Sequence, residues 1–384
     1  MVIIPAYILS FGVVCPIGLE VMRLRFTYIL TLFIFTLMFS SVVSQNLVHN
    51  GGFEDFVECP VKMSNLNKDA EYWSAPTLGT TDYFNECSKT KLGIPMNFKG
   101  KQDAFEGDAY AGLYLFAPKD YREYIQVKLS KTLKKGHRYR LSLSLSLSEK
   151  SDGAVMDIGA VFSEKPLSVH TKRQLSNSML SSQIIKTTHA KQFSSNGFYD
   201  DKAEWMEVEL DFVAKGFESH LILGNFKSNG GTKYLDFGKN TASAEGYSYY
   251  YLDDVTLNYL GPEYRPNQSY VLNHVNFDFD RFELEPKAKQ SLADVYEYLK
   301  KNPNLKVSIS GHTDDLGSEQ YNEVLSSQRA NTVAKHLIKL GLEKKRISYT
   351  GYGNKIPLDS TLTDKARRKN RRVEFVMTKF VDEE

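Results

Sequence analysis

Two textures divide the chain. Up to about Leu260, apolar and polar positions alternate in short runs broken by Gly, Asn, Asp and Pro. The clearest run is Tyr139–Leu147, where Tyr139, Leu141, Leu143, Leu145 and Leu147 fall on one side and serines on the other. A period of two predicts a strand with one buried face. Further strands are expected at 124–129, 154–162, 205–213, 220–226 and 249–257. Many short strands of this kind predict an all-β jelly-roll sandwich. The stretch Gly261–Ser269, rich in Pro, Asn and Gln, reads as a linker within 261–270. From Tyr270 the period changes. Val275, Phe277 and Phe279 alternate as a strand, and Pro286 opens a helix whose stripe is Ala288, Leu292, Val295 and Leu299. Leu305, Val307 and Ile309 form the next strand, and a second helix runs from about Glu319 to Leu340 and stops at Gly341. Strands at 346–349 and 372–378 complete a βαβαββ order, which predicts an α/β sandwich over 271–384.

Composition narrows the class. Of the 384 residues 24% are charged and 12% aromatic, which suits folded domains rather than disorder. A net charge of +2 without a long basic run argues against nucleic acid as a partner. Arg23 and Arg25, an apolar run over 28–39 and the small residues around Val42 and Ser44 read as a secretory signal. The expected start is Met22 and the expected cleavage follows Ser44, so residues 1–44 form a leader. A retained anchor helix is the alternative, but a membrane span needs about 20 apolar residues. Cys15 precedes the apolar run, the wrong context for lipid attachment. After cleavage Cys59 and Cys87 remain, and an exported chain with two cysteines suggests one disulfide; two buried free thiols are the alternative.

The chemistry concentrates in Gly311-His312-Thr313-Asp314 and in Asn322, Ser326 and Arg329, which share one face of the second helix. Asp314 ends a strand, and Arg329, about 10 Å along the helix from Asn322, leans back toward it. A carboxylate and a guanidinium so placed can clamp a small zwitterion, ammonium at Asp314 and carboxylate at Arg329. An internal ion pair that fixes the loop is the plainer alternative. His312 has no nucleophile or metal-spaced ligand near it in sequence and reads as a structural loop residue. The basic stretch from Arg367 to Arg372 reads as solvated surface.

Five segments carry a resemblance to the OmpA-like peptidoglycan-binding family. They are Phe277–Phe282, Gly311–Asp314, the Asn322/Leu325/Ser326/Arg329/Ala330/Val333 pattern, Gly351 with Gly353, and Asn370–Val373. The resemblance covers Asn276 to Phe380. It implies that Asp314 and Arg329 hold the ammonium and carboxylate of diaminopimelate in the peptide stem. It further implies that Phe279 and Asp280 line the pocket and that Thr313 and Asn322 support it. The implied setting is the periplasm or outer-membrane-associated envelope of a Gram-negative bacterium.

The start Asn50-Gly51-Gly52-Phe53-Glu54 and the end Asp253-Asp254-Val255 of the first domain resemble galactose-binding-like jelly rolls, including carbohydrate-binding modules. That resemblance implies neighbouring first and last strands, with Glu54 and Asp254 as ligands of a structural Ca²⁺. Trp73, Tyr83, Phe84, Tyr110 and Tyr114 are core aromatics or sugar platforms, and the core reading is favoured. The run Tyr249-Tyr250-Tyr251 points rings to both strand faces, so at least one ring is expected at the surface. The reading is a non-enzymatic envelope protein that grips peptidoglycan and offers its β-domain, residues 45–260, to a glycan or an envelope protein. A carbohydrate-active enzyme targeted to the wall is the alternative, since the β-domain holds many acids. A β-barrel is disfavoured, because long alternating segments are too few.

Overall fold

The computed structural model describes residues 46–193, 195, 197–238, 246–272, 284 and 286–380. The leader with its start and cleavage points lies outside these residues, as do Phe279, Asp280 and the strand expected at 275–279.

Among the described residues, ten strands make two five-stranded sheets, antiparallel throughout. One runs in the order β1 (Trp73–Ser74), β6 (Tyr124–Lys128), β12 (His220–Gly224), β9 (Gly159–Ser163), β10 (Lys191–Gln192). The other runs β11 (Met206–Val213), β7 (His137–Leu147), β14 (Ser248–Pro262), β5 (Ala109–Phe116), β2 (Asp82–Asn85). Leu141, Leu143, Leu145 and Leu147 of β7 bury their side chains against Val127, Phe162, Leu221 and Leu223 of the facing sheet. Each such leucine contributes about 1.5–3 kcal/mol by leaving water.

The serine side of β7 departs from expectation, for Ser144 and Ser146 are buried as well. A short hairpin of β3 (Met96–Asn97) and β4 (Gly100–Lys101) lies in the segment that covers this outer face. Leu92, Phe98 and Trp205 pack there on Phe84, Tyr110, Tyr249 and Tyr251, and Ser146 Oγ donates to Gln102 Oε1 at 2.9 Å. Lys99 Nζ sits 4.4, 4.3 and 4.7 Å from the ring centres of Tyr114, Tyr247 and Tyr249, and donates to the Tyr114 hydroxyl at 2.6 Å. Burial brings its pKa down to about 8. All of Tyr249, Tyr250 and Tyr251 are therefore buried, and the expected exposed ring is corrected.

The single strand expected at 154–162 is two. β8 (Gly153–Val155) pairs with β13 (Tyr234–Asp236), while β9 joins the first five-stranded sheet. The chain breaks between them at Asp157, whose carboxylate accepts from Lys227 Nζ and from the Lys233 backbone N–H, each at 2.7 Å. The first and last segments do lie together. The Asn46 side chain accepts the Leu257 N–H and donates to the Val255 carbonyl, and a Cβ on Gly51 would sit 2.1 Å from that same carbonyl oxygen. Cys59 and Cys87 are joined in a disulfide, with Cα atoms 5.9 Å apart.

β14 runs on to Pro262, and β15 (Ser269–Val271) begins inside the expected linker. Then follow α1 (Pro286–Lys301), β16 (Leu305–Gly311), α2 (Glu319–Leu340), β17 (Ile347–Gly351), α3 (Asp364–Asn370) and β18 (Val373–Lys379). The sheet order is β15-β18-β16-β17, with β16 and β17 parallel and the other pairs antiparallel. Ala288, Leu292, Val295 and Leu299 of α1 are buried with Val307, Ile309, Val333, Leu337 and Phe375, as their spacing predicts. Ser318 caps α2 by accepting the Tyr321 N–H, and Gly341, at φ 112°, ends it. α3 was not expected, because its charged sequence has no apolar period.

Candidate functional site

Two glycines set the geometry of the C-terminal site. A Cβ on Gly311 would sit 2.0 Å from the Ser326 carbonyl oxygen, and one on Gly351 would sit 2.4 Å from the Ser327 nitrogen. Only glycine lets the ends of β16 and β17 approach the α2 backbone this closely. The Ser326 hydroxyl seals the contact by accepting the Gly353 N–H at 2.9 Å.

On this frame Asp314 is 6% exposed, Asn322 1% and Arg329 1%. Asp314 Oδ1 accepts the Leu316 N–H at 3.2 Å. Its Oδ2 accepts from Arg371 Nη1 at 2.6 Å. Thr313 is buried, donates its N–H to the Gly353 carbonyl at 2.9 Å and its hydroxyl to the Asp314 carbonyl at 3.1 Å. Asn322 Nδ2 is buried with no acceptor among the described residues. A buried amide donor without a partner costs about 1–3 kcal/mol, which a ligand oxygen would recover.

The basic stretch is not simply solvated, and that expectation is corrected. Arg367 makes a two-point ion pair with Asp315 at 2.8 and 3.1 Å, and Lys369 meets Asp359 at 2.9 Å. Hydrogen bonds from Lys369 and Thr361 hold the Asp359 carboxyl down at about 2. Arg372 is buried on Glu374 and the Ile356 carbonyl. Asn370 accepts the Leu358 and Asp359 N–H groups and so fixes the loop before α3. The partner that sequence reading missed is Arg371. Its signal was the Asn370–Val373 segment, but nothing local links that segment to Asp314, 57 residues earlier.

His312 is buried, and neither ring nitrogen has a hydrogen-bond partner. Its ring stacks on Tyr352, with centres 5.7 Å apart and planes 13° off parallel. Burial, then the Arg372 charge, push its pKa down to about 4, so the ring is neutral at ordinary pH.

The residues expected to hold calcium are arranged otherwise. Both Glu54 oxygens accept the Asp108 N–H, at 3.0 and 3.1 Å. The fully buried acid is Asp253, which accepts backbone N–H groups from Phe105, Glu106 and Asp254. Asp254 occupies a left-handed position, φ 45°, where β14 shifts register. Among the described residues no group of three or more His, Cys, Asp or Glu is placed to hold a metal.

Residues 276–371 match the OmpA family. The C-terminal part of the chain is thus an OmpA family domain, with Asp314 and Arg329 inside the match and residues 46–260 outside it. Similar proteins include outer membrane porin F of Pseudomonas fluorescens, 36% identical over 26% of this chain and 31% of that protein. The peptidoglycan-associated lipoprotein of Legionella pneumophila is 37% identical over 29% of this chain and 60% of its own. Peptidoglycan-binding protein ArfA of Mycobacterium tuberculosis is 40% identical over 27% of this chain and 32% of its own. The chain thus spans less than two thirds of these relatives. Among solved structures, the peptidoglycan-associated lipoprotein from Burkholderia pseudomallei is 28% identical, covering 29% of this chain and 91% of that one, with a TM-score of 0.27.

Proposed function

We propose that this chain is a non-enzymatic cell-envelope protein that holds peptidoglycan non-covalently through its OmpA family domain. Relatives named for peptidoglycan binding or association support the general reading. In the finer reading, Arg329 takes the carboxylate of diaminopimelate and Asp314 its ammonium, with Thr313 and Asn322 in support. The observation that carries it is Asn322 Nδ2, a buried donor lacking an acceptor on the same helix face as Arg329. Arg371 already neutralises Asp314, so the incoming ammonium shares or displaces that ion pair.

Residues 45–260 form, in this reading, a galactose-binding-like jelly roll that meets a glycan or an envelope protein. Two five-stranded antiparallel sheets, with the first segment hydrogen-bonded to β14, support that assignment. The non-enzymatic reading has its own support. Asp82, its pKa raised by burial to about 6, and Glu123, also raised by burial, are the buried acids that most resemble a catalytic pair. Both are enclosed, Asp82 by Tyr249 and the Ser64 N–H, Glu123 by Thr80, Tyr114 and Tyr121. The signal at 23–44 supports export to the periplasm or outer membrane.

Co-sedimentation with insoluble peptidoglycan tests the proposal, using residues 45–384 as wild type, Asp314→Ala and Arg329→Ala. Wild type in the pellet with both variants in the supernatant is expected. Wild type left in the supernatant would retire the wall-binding reading.

A further inference from the structure

Tyr352 has an unusual setting for a surface aromatic. One face of its ring is backed by the buried His312 imidazole, nearly parallel at 13°. The side chain is nonetheless 37% exposed, so the ring is held flat with an open side. Its backbone is pinned on both sides of the site. The Tyr352 N–H donates to the Gly311 carbonyl at 2.9 Å, and the next residue's carbonyl, on Gly353, accepts the Thr313 N–H at 2.9 Å. The ring therefore stands just after β17, hydrogen-bonded to the end of β16 and beside His312, two residues before Asp314.

The support itself is informative. Among the described residues neither nitrogen of the buried His312 has a partner, and its ring lies beside that of Tyr352. Its neutral ring, nearly parallel with centres 5.7 Å apart, supports that of Tyr352.

We propose that Tyr352 is a saccharide platform beside the peptide pocket, so that the domain reads the sugar as well as the stem peptide. The inference rests on the peptidoglycan reading above. In peptidoglycan the diaminopimelate is the third stem residue, with two residues between it and the lactyl ether of N-acetylmuramic acid. Two extended residues span at most about 7 Å. With diaminopimelate held at Asp314 and Arg329, the first sugar falls within reach of a ring that lies against His312, two residues from Asp314. The C–H face of a pyranose covers an aromatic ring by apolar contact, and a ring already fixed by stacking loses little freedom when it does so.

The test is calorimetric titration of residues 45–384 with two ligands, a disaccharide–tetrapeptide and the free tetrapeptide, both containing diaminopimelate. Wild type is expected to bind the disaccharide ligand about 2- to 10-fold more tightly. Tyr352→Ala should abolish that preference and leave free-peptide affinity within about twofold, which also reports that the pocket is intact. Tyr352→Trp should keep the preference. Equal wild-type affinity for the two ligands, or an Ala variant that weakens both alike, overturns the platform while the pocket stands. A wild type that binds neither ligand overturns the pocket and the platform together.

Discussion

Arg371 Nη1 lies 2.6 Å from Asp314 Oδ2, joining the residue that follows α3 to the carboxylate that follows β16. The Asp314 side chain is 7% exposed and that of Arg371 29%, so the pair is partly shielded from water. Arg371→Ala should cost about 1.5–3 kcal/mol, the worth of a hydrogen bond to a charged group. Because Asp314→Ala removes the same contact, the double variant should cost less than the two single losses added. Urea unfolding of the four proteins measures the cycle, and strict additivity would show that the pair contributes no coupling.

Arg329→Ala should weaken peptidoglycan binding about ten- to a hundredfold, from the loss of one charge-assisted contact of about 1.5–3 kcal/mol. Quantitative co-sedimentation reads the change, with the melting temperature as a check on folding. Binding equal to wild type would remove Arg329 from the ligand site.

His312 makes the C-terminal domain sensitive to acid. Its folded pKa of about 4 lies below the ordinary 6.5 of histidine, so between those values the unfolded chain takes up a proton that the folded one refuses. Its contribution is intact above about pH 6.5 and is lost as pH falls toward 4, by at most about 1.4 kcal/mol per pH unit. The charges facing it are Arg372, which opposes protonation, and Glu374, which favours it. His312→Phe keeps a ring against Tyr352 and should flatten the fall in stability over this window. Denaturant midpoints from pH 7 to 4 for both proteins provide the check; parallel curves would mean that the imidazole titrates normally.

The Cys59–Cys87 bond spans 28 residues of sequence. Loop-closure entropy sets its worth at about 3–4 kcal/mol. Replacing both cysteines with alanine should lower the unfolding free energy of the β-domain by that amount and leave peptidoglycan co-sedimentation unchanged. A loss of peptidoglycan binding in this variant would tie the pocket to the β-domain.

Local period made much of this architecture legible. The leucines of β7 and the stripe of α1 face the cores that their spacing assigns, and Ser318 and Gly341 bound α2 where the sequence marks its ends. What escaped depends on distant partners. Ser144 and Ser146 look solvated until Gln102 and its neighbours cover them, and the three tyrosines from Tyr249 disappear under the same cover. The break at Asp157 follows from Lys227 and Lys233, about 70 residues on. At the site, Asp314, Asn322 and Arg329 share one short motif and were readable as a group. Arg371 was readable only as part of a basic run, because its partner is set by the pairing of β18 with β16, Val373 beside Gly311.

β14 pairs with β7 from Tyr250 to Pro262 and with β5 at its start, from Ser248 to Leu252, and leads within a few residues into β15 of the OmpA family domain. If the OmpA family domain is held to the wall as proposed, a pull on it enters the β-domain along the axis of that strand. The hydrogen bonds to β7 and β5 run across that axis, so they are loaded side by side in shear rather than opened one at a time. Held that way, the chain would resist tension through the long pairing of β14 with β7.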